Sequence, residues 1–167
     1  MRRREGLDAF ETNLAGLLPR LRRFARSLTH DAVDADDLVQ TALERALKAR
    51  AQWAPGTRLD SWMLKIMRNC WIDETRSRAR RATRLAPEEE GHSVGDPAAD
   101  PEQKAGMRDV GRAMAALPEQ QREVIALVLV EGLAYREAAE ILDIPIGTLT
   151  SRLTRGRQSL VQMLEAA

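Results

Sequence analysis

Residues 133–157, LAYREAAEILDIPIGTLTSRLTRGR, limit what this chain can fold into more than any other stretch. The spacing predicts a helix over 135–142, a turn over 143–146 and a second helix starting near Gly147. Pro145 has no amide hydrogen and bars simple continuation of the first helix. Ala138 and Ala139 are small where two steeply crossed helices need close backbone approach, and Leu142, Ile144, Leu149 and Leu153 supply an apolar wedge. Asp143 stands where many such turns place Gly, but Asp tolerates a left-handed backbone better than most residues. With the wedge turned inward, helical spacing sends Thr148, Ser151, Arg152 and Arg155 to the other side. Such a face fits a DNA major groove, where Arg donates to guanine edges and hydroxyls bind phosphate or base. The plainer alternative is a helical hairpin with a solvated basic face.

Length and composition agree with helix throughout. The 167 residues suffice for one medium domain or two small ones, and the 44% of apolar residues show no strand-like alternation. No apolar run approaches the roughly 20 residues that span a bilayer. The basic start MRRREGLDAFE has no apolar signal core, so the expected location is cytoplasmic. A single cysteine, Cys70, cannot form an intramolecular disulfide and is expected to pack as a small core residue. The net charge of +1 hides an asymmetry: residues 1–86 carry +7, residues 87–105 carry −5 and residues 106–167 carry −1. Free-standing DNA binders usually have a larger basic excess, because phosphate contacts dominate affinity. A chain this balanced binds DNA weakly unless something else delivers it.

Residues 86–101, APEEEGHSVGDPAADP, hold three Pro, two Gly and five acids without apolar periodicity, which marks a linker. The expected organisation is all-α: a helical unit over 8–85, an acidic linker over 86–101, and a helix-turn-helix unit over 102–167. In the first unit, helices are expected near 8–29, 34–52 and 59–84. Pro19 kinks or splits the first, Asp31 or Asp34 caps the second, and Asp60 or Ser61 caps the third. In the second unit, helices are expected near 102–116, 119–131, 135–142 and 147–165.

Two polar faces stand out in the first unit. On DADDLVQTALERALKARAQ, Asp37, Gln40, Thr41, Glu44 and Lys48, with Asp36 at the edge, oppose an expected core face of Leu38, Val39, Ala42, Leu43, Ala46 and Leu47. Acids at a helix start also favour the helix dipole, so this face alone does not demand a partner. On LDSWMLKIMRNCWIDETRSRARR, Ser61, Lys65, Arg68, Asn69 and Arg76 form a polar side bordered by Trp62, and the helix ends in a run of arginines. Arginine interleaved with Trp and Asn suits a nucleic-acid surface. Trp53, beside the AlaProGly loop, either packs or stacks on a base, whereas Trp71 belongs to the core. His30 and His92 stand alone, and neither a metal site, a phosphate loop nor a nucleophile elbow is present in the sequence. No cofactor and no catalytic residue of its own are expected.

Both units together resemble the sigma-70 family of RNA polymerase sigma factors, specifically the small extracytoplasmic-function (ECF) group. DADDLVQTALERAL followed by LDSWMLKIMRNCWIDETR is similar to the family's second region, and ALPEQQREVIALVLVEGLAYREAAEILDIPIGTLTSRLTRGRQSL to its fourth. The resemblance covers roughly residues 14–84 and 113–164. It implies that Asp36, Asp37, Leu38, Gln40 and Thr41 dock on the β′ clamp helices of core polymerase, with the β subunit as a further contact. It implies that Trp53 and Thr57, then Trp62, Lys65, Arg68, Asn69 and Arg76, capture the melted −10 strand. Thr148, Ser151, Arg152, Arg155 and Arg157 would read the −35 element of promoter DNA. An anti-sigma partner is implied as well, with no membrane insertion. The acidic linker resembles family linkers that run near the RNA path, though an ordinary solvated linker fits equally.

This chain departs from the family pattern at Thr150, often a cation, and at Gly156, often Ala. Gly at the latter position costs about 1 kcal/mol of helix stability relative to Ala. Two rivals remain at this stage: a stand-alone helix-turn-helix regulator, and a sigma mimic that sequesters an anti-sigma factor.

Overall fold

The structure, a computed structural model, describes residues 10–82 and 101–166. It is all-α, with no strand among the described residues. Residues 10–16 are helical, the chain turns at Leu17, and α1 (Leu18–Thr29) follows. Pro19 therefore splits the first helix rather than kinking it, and sits in the first turn of α1, where a missing N–H costs nothing. The carboxylate of Asp31 accepts the amides of Val33 and Asp34 and caps α2 (Ala32–Lys48).

A 3-10 turn (Arg50–Gln52) leads into Ala54-Pro55-Gly56-Thr57, where the Thr57 amide donates to the Ala54 carbonyl at 3.1 Å. Pro55 presets the first central position of this turn, and Gly56, at φ +89°, supplies the left-handed second one. α3 (Leu59–Ala82) begins there, with the Trp62 amide donating to the Arg58 carbonyl. The cap position thus falls on Arg58. Asp60 instead lies inside the first turn, where it accepts from Arg58 and from the Ser61 amide.

Pro101 opens α4 (Pro101–Ala116), so all but the last residue of the expected linker lies outside the described residues. α5 (Glu119–Ile125) does not run on as a regular helix to 131; the apolar run Ala126–Val130 forms a π-helical turn. There the Glu131 amide reaches five residues back to the Ala126 carbonyl, and Gly132, at φ +68°, turns the chain out of the helix. α6 (Tyr135–Leu142) ends as the sequence predicts, with Asp143 left-handed at φ +53°. The Ile144 amide donates to the Ala139 carbonyl at 3.1 Å, closing the helix end, and Pro145 stands at the cap of α7 (Ile146–Glu165).

α1, α2 and α3 pack on one another, and α4, α5 and α6 each pack on α7. Sequence patterning leaves the relation of these two bundles open; in the structure they join. α1 also touches α4, α5 and the π-turn, α3 touches α6, and one apolar cluster extends from Phe10 through Phe24 and Met63 to Ile125, Leu142 and Leu153. Fully burying a side chain such as Phe24, Leu21 or Leu127 stabilises by about 1.5–3 kcal/mol. Cys70 and Trp71 belong to this core, as their spacing predicts.

Candidate nucleic-acid and partner interfaces

The outer face of α7 brings together four of the five residues expected to read DNA. Ser151 and Arg155 are exposed, Thr148 and Arg152 half-buried, and the four share one side of the helix. Opposite them, Leu149 and Leu153 are buried against the core. The Ser151 hydroxyl donates to the Thr148 carbonyl at 3.0 Å, and Arg155 Nε to the Ser151 carbonyl at 3.3 Å, so intrahelical bonds pre-position both side chains. Arg157 is the correction. At about 100° per residue it falls nearly opposite Thr148 and cannot enter a groove together with the other four, although it is exposed.

α2 presents Asp36, Asp37, Gln40 and Thr41 to solvent. Leu38 does not join them: it is 6% exposed, one turn round the helix among Ala35, Val39 and Ala42, so its part in any docking face is to support it. Beside this face runs a groove of about 560 Å³ between α2 and α3, lined by Asp37, Gln40 and Thr41 on one side and Trp71 and Glu74 on the other. Two ion pairs hold its walls together, Arg45 to Asp73 and Arg78 to Asp34, each at 2.7 Å. The hydrogen bond from Arg78 keeps the Asp34 carboxyl below its usual range. Exposed Asp36 meets Arg22 at 3.5 Å, a contact that solvent screens.

The strand-capture candidates are not all free. Lys65, Asn69 and Arg76 are exposed along α3. Trp62 and Trp53 are partly buried against Phe10, with ring centroids 6.3 Å and 5.5 Å away, and Arg50 lies 5.4 Å over the same ring. Phe10 therefore anchors both tryptophans, a partner that lone aromatics at the chain start do not advertise. Trp53 keeps a buried indole N–H without an acceptor among the described residues, so its ring packs instead of standing ready for a base. Thr57 is exposed, with its hydroxyl donating to the Ala54 carbonyl at 2.7 Å.

Ser61 and Arg68 occupy one flank of the same polar side, and acids of the second unit meet both. The Ser61 hydroxyl donates to Glu137, and Arg68 Nε donates to Glu123 at 3.1 Å. Glu123 is 4% exposed; burial pushes its carboxyl up, and the charge of Arg68 opposes that shift. Sequence reading missed Glu123, Glu131 and Glu137 as functional candidates. Glu123 and Glu131 are buried, yet an acid in the sequence looks by itself like an ordinary solvated position.

Residues 15–81 match the family model for sigma-70 region 2, and residues 107–160 that for sigma-70 region 4. The chain belongs to the sigma-70 family. Within it the ECF group fits: the chain is 35% identical to "ECF RNA polymerase sigma factor EcfG" of Rhodopseudomonas palustris (strain TIE-1), over 94% of this chain and 86% of that one. Among solved structures it is similar to the sigma factor RpoE in complex with the anti-sigma factor NepR from Bartonella quintana. That likeness has a TM-score of 0.81 and 31% identity, over 94% of this chain and 97% of that one. It is also similar to CnrH in complex with the cytosolic domain of CnrY, with a TM-score of 0.70 and 27% identity over 96% and 90% of the two chains. Region 2 therefore comprises α1 to α3, and region 4 comprises the helix-turn-helix α6–α7 with the helices that support it. No helix among the described residues is long and apolar enough to cross a membrane, and no group of three or more metal-ligating side chains occurs among them.

Proposed function

We propose that this chain is an alternative sigma factor. It binds core RNA polymerase, directs it to promoters and helps open the duplex, and it contributes no catalytic group of its own. The observation that supports this most is the presence of both family regions in order, each with its reading face at the surface: Asp37, Gln40 and Thr41 on α2, and Thr148, Ser151, Arg152 and Arg155 on α7. The division of labour follows residue chemistry. The acidic-polar α2 face and its groove suit a basic partner helix on the polymerase clamp. Lys65, Asn69 and Arg76 suit the phosphates and base edges of a melted −10 strand, and the α7 face suits the −35 major groove.

Flipping a base out of the stack costs a few kcal/mol, and polar and stacking contacts in region 2 must offset it. A net charge of +1 is enough for such a protein, because core polymerase holds it at high effective concentration beside DNA. Likeness to the sigma factor RpoE, solved with the anti-sigma factor NepR, supports an anti-sigma factor here too, acting in the cytoplasm.

Transcription reconstituted from core enzyme with and without the chain tests the reading. Promoter-specific initiation only when the chain is added supports it. Duplex binding without polymerase points to a stand-alone regulator. Binding to an anti-sigma factor with no initiation points to a decoy.

A further inference from the structure

The helical stretch over residues 10–16 turns two side chains into the protein, Phe10 and Leu14, and exposes the others. Leu14 joins the apolar core. Phe10, 2% exposed, has three groups facing its ring. Trp53 and Trp62 meet it at interplanar angles of 49° and 70°, close to the edge-to-face arrangement that aromatic quadrupoles favour. The Arg50 guanidinium lies over its π face. These groups come from both ends of one segment. Arg50 opens the 3-10 turn that leaves α2, and Trp53 closes it, its amide donating to the Arg50 carbonyl at 3.1 Å. Trp62 stands in the first turn of α3. Between Ala51 and Arg58 every residue except Trp53 is exposed. Trp53 is held inward although its indole N–H has no acceptor among the described residues, and a buried orphan of this kind calls for a compensating contact. The Phe10 ring supplies it.

We infer that Phe10 is a positioning residue for strand capture, its ring joining loop 50–57 and the first turn of α3 into one unit. It is too deep to touch the strand itself. This inference rests on the reading of the loop and α3 as the strand-binding face. The loop tip is stiff on its own account: Pro55 and left-handed Gly56 shape it, and the Thr57 amide and hydroxyl both donate to the Ala54 carbonyl. A stiff tip on a loose stem has no fixed aim. Trp53, pinned by Phe10, aims it, and Trp62 gives α3 the same anchor. A free loop would lose its conformational freedom when the strand binds, whereas this one has lost it on folding. Discrimination between bases needs polar groups placed to within about 0.5 Å, so slack in the stem harms the preferred base more than the others. Phe10 lies before residues 15–81, the part of the chain that matches region 2, so the support reaches the loop from outside that match.

Core polymerase assembled with the full chain is offered forked DNA with a randomised single-stranded arm, and the bound DNA is sequenced. The unmodified chain should enrich one base at one or more positions of the arm. Phe10→Leu keeps the apolar bulk and removes the ring contacts; it should cut that enrichment about tenfold and leave core association unchanged. In the same variant without polymerase, the Trp53 and Thr57 amides should exchange with deuterium about tenfold faster, while amides in the middle of α2 keep their rates. Should Phe10→Leu not fold, Phe10→Met places a flexible apolar chain in the slot, and the same changes are expected of it. Leu28→Val trims the core at the end of α1 and controls for stability, so it should move neither readout. Enrichment retained in a folded Phe10 variant overturns the inference, as do unchanged loop exchange rates. So does equal loss in Leu28→Val, which would make Phe10 one packing residue among many. An unmodified holoenzyme that enriches no base overturns the strand-face reading instead, a failure visible before any substitution is made.

Discussion

The α2 face carrying Asp36, Asp37, Gln40 and Thr41 is open to solvent, whereas the α3 flank carrying Ser61 and Arg68 is covered by Glu137 and Glu123. Both are polar helix sides of region 2, and periodicity finds both. Sign separates them. The helices of region 4 turn acids toward region 2, which a basic flank attracts and an acidic face repels. Whether a charged strip is available to an outside partner is thus decided by the charge on the other half of the same chain.

The sharpest way to break the comparison is to remove one acid from each setting. Glu131→Ala removes the buried carboxylate that Arg20 and Arg23 share, leaving Arg20 its pair with Asp60, and should cost about 3 kcal/mol in urea unfolding. Asp36→Ala, which loses one exposed contact to Arg22, should stay within about 0.5 kcal/mol. Equal costs would show that the region 4 acids are as solvated as the α2 face.

The reverse ranking is expected for partner binding. Asp37→Ala should weaken association with core polymerase about tenfold, near 1.4 kcal/mol, without moving the unfolding midpoint. Arg155→Ala should leave core binding intact and lower initiation from a −35-dependent promoter by a similar factor. Parallel losses in both assays for either variant would merge two surfaces that the structure keeps apart.

Helix content was legible because its signals are local. The apolar wedge of α6 and α7, the Asp31 cap, Pro19 in a first turn, the Pro55–Gly56 turn and left-handed Asp143 each follow from a few neighbouring residues. The shared polar side of α7 was legible for the same reason, although treating Arg157 as part of it ignored the angle that two further residues add. Nothing local distinguishes the ALVLV run as a π-turn, since an unbroken apolar stretch has no period to read. Glu131 was illegible in a stronger sense. Its partners Arg20 and Arg23 are more than a hundred residues away, and only the meeting of two bundles brings them together.

Acidity should weaken the fold through a partly buried histidine. Burial, with the charge of Arg122 adding to it, pushes the His30 imidazole down to about 4, so the folded chain holds it neutral. Between its ordinary value of 6.5 and about 4 the unfolded chain binds the extra proton, and stability is lost as pH falls through that window. The slope is at most about 1.4 kcal/mol per pH unit and is reduced by solvent screening. Glu123 works in the opposite direction: its raised carboxyl favours the folded form at low pH, and that contribution is lost as pH rises past its shifted value. His30→Asn keeps a residue that tolerates φ +61° and removes the titration, so thermal melts from pH 7 to 5 should flatten relative to the unmodified chain. An unchanged slope would place the acid sensitivity elsewhere.

Two glycines of α7 repeat the comparison of covered and open positions within one helix. A Cβ at Gly156 would lie 3.1 Å from Ile125 Cγ1, 3.3 Å from Ile125 Cδ1 and 3.4 Å from Gln121 Cβ, whereas a Cβ at Gly147 meets nothing within 4 Å. Ala in place of Gly gains up to about 1 kcal/mol of helix propensity at either site. At Gly156 crowding opposes the gain, since Ile125 is buried and its Cγ1, one bond from Cβ, has little room to swing away; overpacking of this kind costs about 1–3 kcal/mol. The glycine that looks like a weakness by propensity is therefore the residue that lets α5 and α7 approach. Gly147→Ala should raise the melting temperature by a degree or more, and Gly156→Ala should lower it by a few degrees. A rise at both sites would show that Ile125 yields, and that the contact between α5 and α7 is looser than these distances imply.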